Sequence, residues 1–416
     1  MTELLSPAGN FEKLKAALRY GADAVYLAGK QFGMRSAADN FDADQLALAV
    51  AYTHERGKKI YVTVNTLPHA DEYPALRAYI GQLKGIGPDG LIVTDLGVLA
   101  TVKEIWPAAE IHISTQASIV SPAAARAYAA LGAKRLVLAR ELTLEEVRAI
   151  HEAVPDVTLE AFVHGSMCVS YSGRCMLSSA LTGRDANRGA CTQPCRWNYT
   201  LIEEKRPNEP MTVYENEQGT FIMSSKDMCA IRHLPALIVA GVGAFKIEGR
   251  MKSAYYVAAV TNAYRMAMDA YEKDPEHFVF DETWYRETES VSHRAYCTGF
   301  WFGKPADDPQ LCEEPGYIRE KAYLATVAES GTVLPGIQTE TEAGVLCRMT
   351  QRNKMTRGMA AELLTPGRTG IPFTADELYD ETGATLDSTP HPLMTYYMRL
   401  PKEASEGDIL RAGNAE

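Results

Sequence analysis

Through its first 273 residues the chain repeats one pattern: a short apolar run, an amphipathic stretch, a glycine, then the next apolar run. The runs are Glu3–Ser6, Ala24–Leu27, Ile60–Asn65, Gly90–Thr94, Glu110–Ser114, Arg135–Ala139, Thr158–Val163 and Ala244–Ile247. Most lack polar alternation, as strands buried on both faces do. Helical text fills the intervals: Phe11–Tyr20, Asp44–Arg56, Tyr73–Lys84, Gly97–Ile105, Pro122–Leu131, Leu144–Ala153, Asp227–Ala240 and Ser253–Tyr271. Asp42 with Gln45 and Thr143 with Glu146 have capping-box spacing, and Ser121 precedes Pro122 as a cap before a first-turn proline. Gly21, Gly57, Gly87, Gly132 and Gly241 stand where helices should stop, because glycine takes the left-handed conformation that ends them.

Eight such units predict an α/β fold, a (β/α)8 TIM-like barrel over residues 1–273. A doubly wound open sheet is the alternative. It would more naturally have fewer strands, and no G-x-G-x-x-G follows the first strand. One connection breaks the rhythm: a cysteine-rich insertion, residues 164–225, after strand 7. In a barrel that loop leaves the C-terminal, catalytic face. Residues 274–315 read as an irregular linker packed on the barrel. Residues 316–416 carry short strand-like runs, Tyr323–Val327, Gly344–Thr350, Ala360–Leu364 and Leu393–Leu400, and predict a small C-terminal β-barrel domain.

Composition narrows the class. With 46% hydrophobic and 23% charged residues the 416-residue chain reads as globular, with no apolar run long enough for a membrane span. Its first residues lack a signal-peptide pattern, which predicts a cytoplasmic protein. A net charge of −11 argues against broad non-specific nucleic-acid binding but leaves room for a local basic patch.

Four of the eight cysteines, Cys168, Cys175, Cys191 and Cys195, follow C-x6-C-x15-C-x3-C. In a reducing compartment such clustering points to metal ligation or redox chemistry rather than disulfides. Structural zinc usually takes two close pairs, and only Cys191 and Cys195 form one. Iron–sulfur clusters tolerate wider gaps. The spacing favours iron–sulfur and leaves zinc and free thiols open. Cys229, Cys297, Cys312 and Cys347 read as small core residues, with Cys229 placed to lie near the group.

The stretches EAFVHGSMCVSYSGRCMLS (Glu160–Ser178), NRGACTQPCRW (Asn187–Trp197) and FKIEGR (Phe245–Arg250) resemble the collagenase-like peptidase family of unassigned catalytic type. So do LSPAGN (Leu5–Asn10) and GADAVY (Gly21–Tyr26). The resemblance covers nearly the whole chain. IMSSKD (Ile222–Asp227) and ENEQGT (Glu215–Thr220) are similar to its prephenate-dependent tRNA uridine hydroxylase branch. That resemblance implies formation of 5-hydroxyuridine at the tRNA wobble position. It implies prephenate as co-substrate and hydroxyl donor, and a [4Fe-4S] cluster on Cys168, Cys175, Cys191 and Cys195. The C-terminal stretch QRNKMTRGM (Gln351–Met359) departs from the family text by having Met359 where an acidic turn residue is common.

A dicarboxylate donor needs cationic partners, best of all an arginine fork. Arg140 follows strand 6 and Arg250 follows strand 8, while Arg174 and Arg188 lie in the cysteine loop. Asn65 and Gln116, after strands 3 and 5, are polar pocket liners. The candidate catalytic groups are His164 and Glu160 on strand 7 and Lys246 and Glu248 at strand 8. Each has a structural reading beside it. Lys246 and Glu248 would pair in a barrel layer, Glu160 would fill the interior, and His164 would be a satisfied core histidine. Trp197 and Tyr199 suit base stacking or core packing. Competing functions are a peptidase, a hydroxylase acting on rRNA or in quinone synthesis, and a non-enzymatic iron–sulfur protein. Neither H-E-x-x-H nor G-x-S-x-G occurs in the chain.

Overall fold

A computed structural model describes residues 2–34, 39–168, 175–186, 189–197, 214–216, 219–221, 225–303 and 317–413. It divides into two compact units, one of Met1–Leu14, Ala22–Lys252 and His293–Tyr317, the other of Lys15–Gly21, Ser253–Ser292 and Ile318–Glu416.

The first unit is built on a closed parallel barrel. Its strands are β1 (Glu3–Pro7), β2 (Ala24–Ala28), β3 (Lys59–Val64), β4 (Gly90–Val93), β5 (Ile111–Ile113), β6 (Arg135–Val137), β7 (Thr158–Ser166) and β11 (Val242–Ile247). Each pairs in parallel with the next, β7 with β11 included, and β11 with β1 closes the ring. Between them in sequence run α1 (Phe11–Arg19), α2 (Ala43–His54), α3 (Tyr73–Ile86), α4 (Leu96–Ile105), α5 (Pro122–Ala130), α6 (Leu144–Ala153), the short α7 (Leu177–Thr182) and α8 (Leu234–Val239). None of the described helices is long and apolar enough to cross a membrane.

The local signals act as expected. Asp42 Oδ1 accepts from Gln45 N at 2.9 Å while Gln45 Oε1 accepts from Asp42 N at 3.0 Å, and Thr143 with Glu146 does the same. The five punctuating glycines all have positive φ. At Gly241 a Cβ would also stand 2.3 Å from the His151 ring, so both conformation and space require glycine there.

The stretch Asp227–Ala240, expected as one helix, is instead β10 (Asp227–Cys229), a 3-10 turn (Ile231–His233) and then α8. The reason lies in β7, which runs on to Ser166, beyond the end of β11's pairing at His164. Its exposed backbone groups need partners. β10 supplies them, antiparallel, with Asp227 opposite Ser166 and Cys229 opposite His164. Strand β12 (Tyr296–Cys297) then pairs with β10. A hairpin of β8 (Tyr214–Asn216) and β9 (Gly219–Phe221) lies in the insertion.

The second unit holds α9 (Ala254–Lys273), α10 (Glu282–Glu289) and an antiparallel half-barrel. Its strands are β13 (Lys321–Ser330), β14 (Glu340–Thr341), β15 (Gly344–Gln351), β16 (Ala360–Leu364), β17 (Ile371–Thr374), β18 (Leu378–Tyr379), β19 (Thr395–Leu400) and β20 (Ile409–Gly413). They follow the order β17-β16-β20-β13-β15-β19-β18, with β14 paired to β15. Leu324, Cys347, Met349, Leu363, Tyr396 and Met398 fill its core. Helix α10 forms inside the segment expected to be irregular, capped by Asp281. Buried Arg411 binds it, donating to Glu287 Oε2 at 2.7 Å and to Glu362 Oε2 at 2.9 Å.

The barrel interior is ionic at one level. Glu160, fully buried on β7, accepts from Lys246 Nζ on β11 at 2.7 Å and from Arg135 Nη1 on β6 at 3.0 Å. Arg135 also donates to Glu3 at 2.6 Å and to the Tyr61 hydroxyl at 3.2 Å. Burial pushes the Glu160 carboxyl up, but Lys246 and Arg135 outweigh it and hold it at about 2. Glu160→Ala, which strands two buried cations, is expected to cost about 3–5 kcal/mol in denaturant unfolding. The folded pKa lies below the unfolded value. The stabilisation is therefore complete above pH 4.5 and lost as pH falls from 4.5 towards 2. Unchanged stability in the variant would refute the assignment.

Candidate active site at the barrel mouth

The residues after the barrel strands converge in three groups. In the first, Asn65 after β3 donates from Nδ2 to Gln116 Oε1 after β5 at 2.8 Å. Asn65 Oδ1 accepts from Met34 N at 3.1 Å, and the Ser114 hydroxyl donates to Gln116 at 3.3 Å. The two amides expected to line a pocket thus meet and fix one another's orientation.

The second group surrounds the exit of β7. Arg140 is half-buried, with its guanidinium 4.0 Å from the Phe162 ring centre and Nη1 donating to the Ser166 carbonyl at 3.1 Å. It therefore braces the extension that leads to Cys168. Lys246 does not pair with Glu248. Its partner is Glu160, and its ammonium stands 4.4 Å from the Tyr26 ring centre. The ring interior offers Lys246 a fully buried carboxylate, whereas Glu248 lies past the end of β11 and accepts from the Tyr26 hydroxyl at 3.4 Å.

Arg250 belongs to a third group. It is buried and donates to Asn40 Oδ1 at 2.5 Å. Its carbonyl receives Lys13 Nζ at 3.3 Å and lies 2.1 Å from where a Cβ on Gly9 would stand. Arg174, Arg188 and Tyr199 lie outside the described residues. Trp197 is 41% exposed, which is not a core position.

Cys168 follows β7 by two residues, Cys175 precedes α7, and Cys195 sits in a 3-10 turn (Pro194–Arg196). Leu177 N donates to Cys175 Sγ at 3.4 Å, and Gln193 N donates to Cys191 Sγ at 3.3 Å. These backbone N–H groups fix where the two sulfurs point. The loop is internally tied: Ser178 Oγ donates to the Arg184 carbonyl at 2.7 Å and accepts from Thr192 N at 3.1 Å. Gly189, with φ of 89°, packs where a Cβ would meet the Gly33 carbonyl at 3.0 Å. Among the described residues no three His, Cys, Asp or Glu side chains stand together as a ready metal-binding group. The donor chemistry, four thiols with two already accepting amide hydrogen bonds, fits a soft metal centre.

His164 is buried on β7, with Nε2 3.4 Å from the Tyr296 hydroxyl. His293 stacks on that tyrosine at 4.3 Å. Asp227 and Arg294 form a buried ion pair at 2.6 Å, and Cys229 is buried opposite His164. The sequence reading missed Asp227, His293, Arg294 and Tyr296. The polar run His293–Cys297 inside supposed linker text was the available signal. Burial pushes His164 down to about 3, against the pull of Asp227. An imidazole this weakly basic accepts a proton poorly and donates none as imidazolium at pH 7. His164 should therefore show no NMR titration from pH 5 to 8, and a midpoint above 6 would contradict this environment. Because the folded state disfavours the charged ring, this residue's contribution to stability is complete above pH 6.5 and is lost as pH falls towards 3.

Comparison with known proteins supplies the affiliation. The model of peptidase family U32 matches residues 9–310, and that of the peptidase family U32 C-terminal domain matches residues 331–411. The tRNA hydroxylation protein P1 of Bacillus subtilis (strain 168) is 38% identical over 411 residues, 99% of this chain and 94% of that protein. The 23S rRNA 5-hydroxycytidine C2501 synthase of Escherichia coli (strain K12) is 44% identical over 268 residues, 64% of this chain and 39% of that protein. The collagenase of Porphyromonas gingivalis (strain ATCC BAA-308 / W83) is 32% identical over 359 residues, 83% of this chain and 84% of that protein. With both of its regions matched, the chain belongs to peptidase family U32.

Proposed function

We propose that this protein is an RNA hydroxylase that forms 5-hydroxyuridine at the wobble position of tRNA in the cytoplasm, with prephenate as hydroxyl donor. The observation that carries the reading is the 38% identity to a tRNA hydroxylation protein across 99% of the chain. The rRNA 5-hydroxycytidine synthase among the relatives is named for the same class of change, a hydroxyl placed at C5 of a pyrimidine.

Cys168, Cys175, Cys191 and Cys195 would hold a [4Fe-4S] cluster. When bound, such a cluster supplies one-electron transfer or orders the loop. The chain's own residues do the rest. Arg140, over Phe162 and beside the β7 exit, would meet a carboxylate of the donor. Asn65 and Gln116, locked together, present fixed amide edges after β3 and β5. Neutral His164 can hold a hydrogen bond without carrying charge into the strand junction below Cys168. Glu160 and Lys246, already paired, keep the wall beneath in shape.

A variation in the ligand set has its own support. Cys229, on β10 opposite His164, is a fifth thiol close in the fold to the strand that delivers Cys168.

Mass spectrometry of tRNA nucleosides from a deletion strain tests the function, with loss of wobble 5-hydroxyuridine expected. Unchanged modification in a strain without a redundant enzyme would sink it. Proteolysis of gelatin by a protease-free preparation would instead favour the collagenase reading. For the cofactor, anaerobically purified protein is expected to carry iron and sulfide. Cys191→Ala should lose iron and Cys312→Ala should keep it. Comparing Cys195→Ala with Cys229→Ala identifies the fourth sulfur, and colourless, iron-free wild type rejects the cluster.

A further inference from the structure

We infer that the turn joining β15 to β16 in the half-barrel is a phosphate-binding surface for the RNA substrate, with Arg352, Lys354 and Arg357 as its contacts. The inference rests on the proposed RNA substrate and adds where on this chain that RNA is held.

The charge pattern comes first. Between Glu342 and Glu362 the sequence has Arg348, Arg352, Lys354 and Arg357 and no acidic residue, in a chain whose net charge is −11. A polyanion gains nothing from the overall field of such a protein, so its phosphates must be met locally. Asn353, Lys354, Thr356 and Arg357 are exposed, and Arg352 is half-buried.

The turn is also rigid, which lowers the cost of ordering it around a ligand. Buried Met355 anchors its centre, donating from its backbone N–H to Thr389 Oγ1 at 2.9 Å and accepting from Thr389 N at the same distance. Arg352 N and Asn353 N both donate to the Leu324 carbonyl, at 2.7 and 3.0 Å. Asn353 Nδ2 donates to the Tyr323 carbonyl at 2.6 Å. Arg357 is steadied by its Nε donating to the Asp376 carbonyl at 3.0 Å. Gly358, with φ of 81°, turns the chain into β16. Three cations within six residues are thus fixed on a preformed backbone, with guanidinium forks suited to phosphate oxygens.

The test is equilibrium binding of unmodified tRNA to the full-length protein across a salt series. Combined Arg352→Ala, Lys354→Ala and Arg357→Ala should weaken binding about tenfold or more near 0.1 M salt. It should also lower the slope of log K against log salt by about 2–3, one unit for each phosphate contact removed. Iron content should not change. Should the triple variant fold poorly, Lys354→Glu alone is expected to weaken binding about threefold or more, and Lys354→Arg to retain it. Wild-type binding with unchanged affinity and slope in the variants overturns the surface and leaves the hydroxylase reading standing. The same holds if the variants lose only binding to an acidic polypeptide. Wild type that binds no tRNA overturns both.

Discussion

Glu160 ties three neighbouring strands of the barrel together. The seventh and eighth strands of the ring, β7 and β11, meet along one seam of the barrel. Glu160 on β7 holds Lys246 across that seam and Arg135 on the other side. A lone carboxylate inside a barrel would take up a proton, and a lone buried cation would carry a large desolvation cost. Together the three satisfy one another, and Glu3 and Tyr61 take up the remaining guanidinium donors. Removing any member leaves charge stranded in low dielectric. The interaction specifies geometry more than it adds net stability, because its own desolvation is costly.

The mouth of the barrel inherits its shape from that seam. Fixed there, β7 runs on past the ring, and its extra residues create an edge that β10 covers and Arg140 braces. The chain leaves this extension directly into Cys168. Asp227 and Arg294 pin the covering strand to the segment that carries β12, placing Tyr296 against buried His164. The neutral histidine, the first cysteine and the bracing arginine are therefore consequences of one overlong strand. A shorter β7 would leave the cysteine loop without a fixed root.

Sequence reasoning reached the barrel because its signals are local. Capping boxes, stop glycines and doubly buried strands each act within a few residues, so Asp42 with Gln45, or Gly87, could be read directly. It went astray at Asp227–Cys229, where helical text forms a strand because of a partner sixty residues away. The ion pairs were illegible for the same reason. Lys246 and Glu248 stand two apart in sequence and invite pairing, while Glu160, the real partner, is 86 positions away. The cysteine motif was plain in the sequence. The residues that frame its root, Arg294 and Tyr296 above all, lay in text that resembled a linker.

The distribution of cations follows from these demands. Arg135, Lys246, Arg250, Arg294 and Arg411 are all buried, and each binds a carboxylate or amide of the chain itself. They hold the fold and cannot also neutralise a nucleic-acid backbone without breaking internal pairs at a cost of several kcal/mol. For a protein of net charge −11, the phosphates of the proposed RNA substrate would fall to exposed residues such as Lys354 and Arg357. Buried cations then hold the fold, and on the proposed reading surface cations would set the affinity for a polyanion. Salt would weaken the second set strongly and the first scarcely at all, because screening acts on solvent-exposed charge.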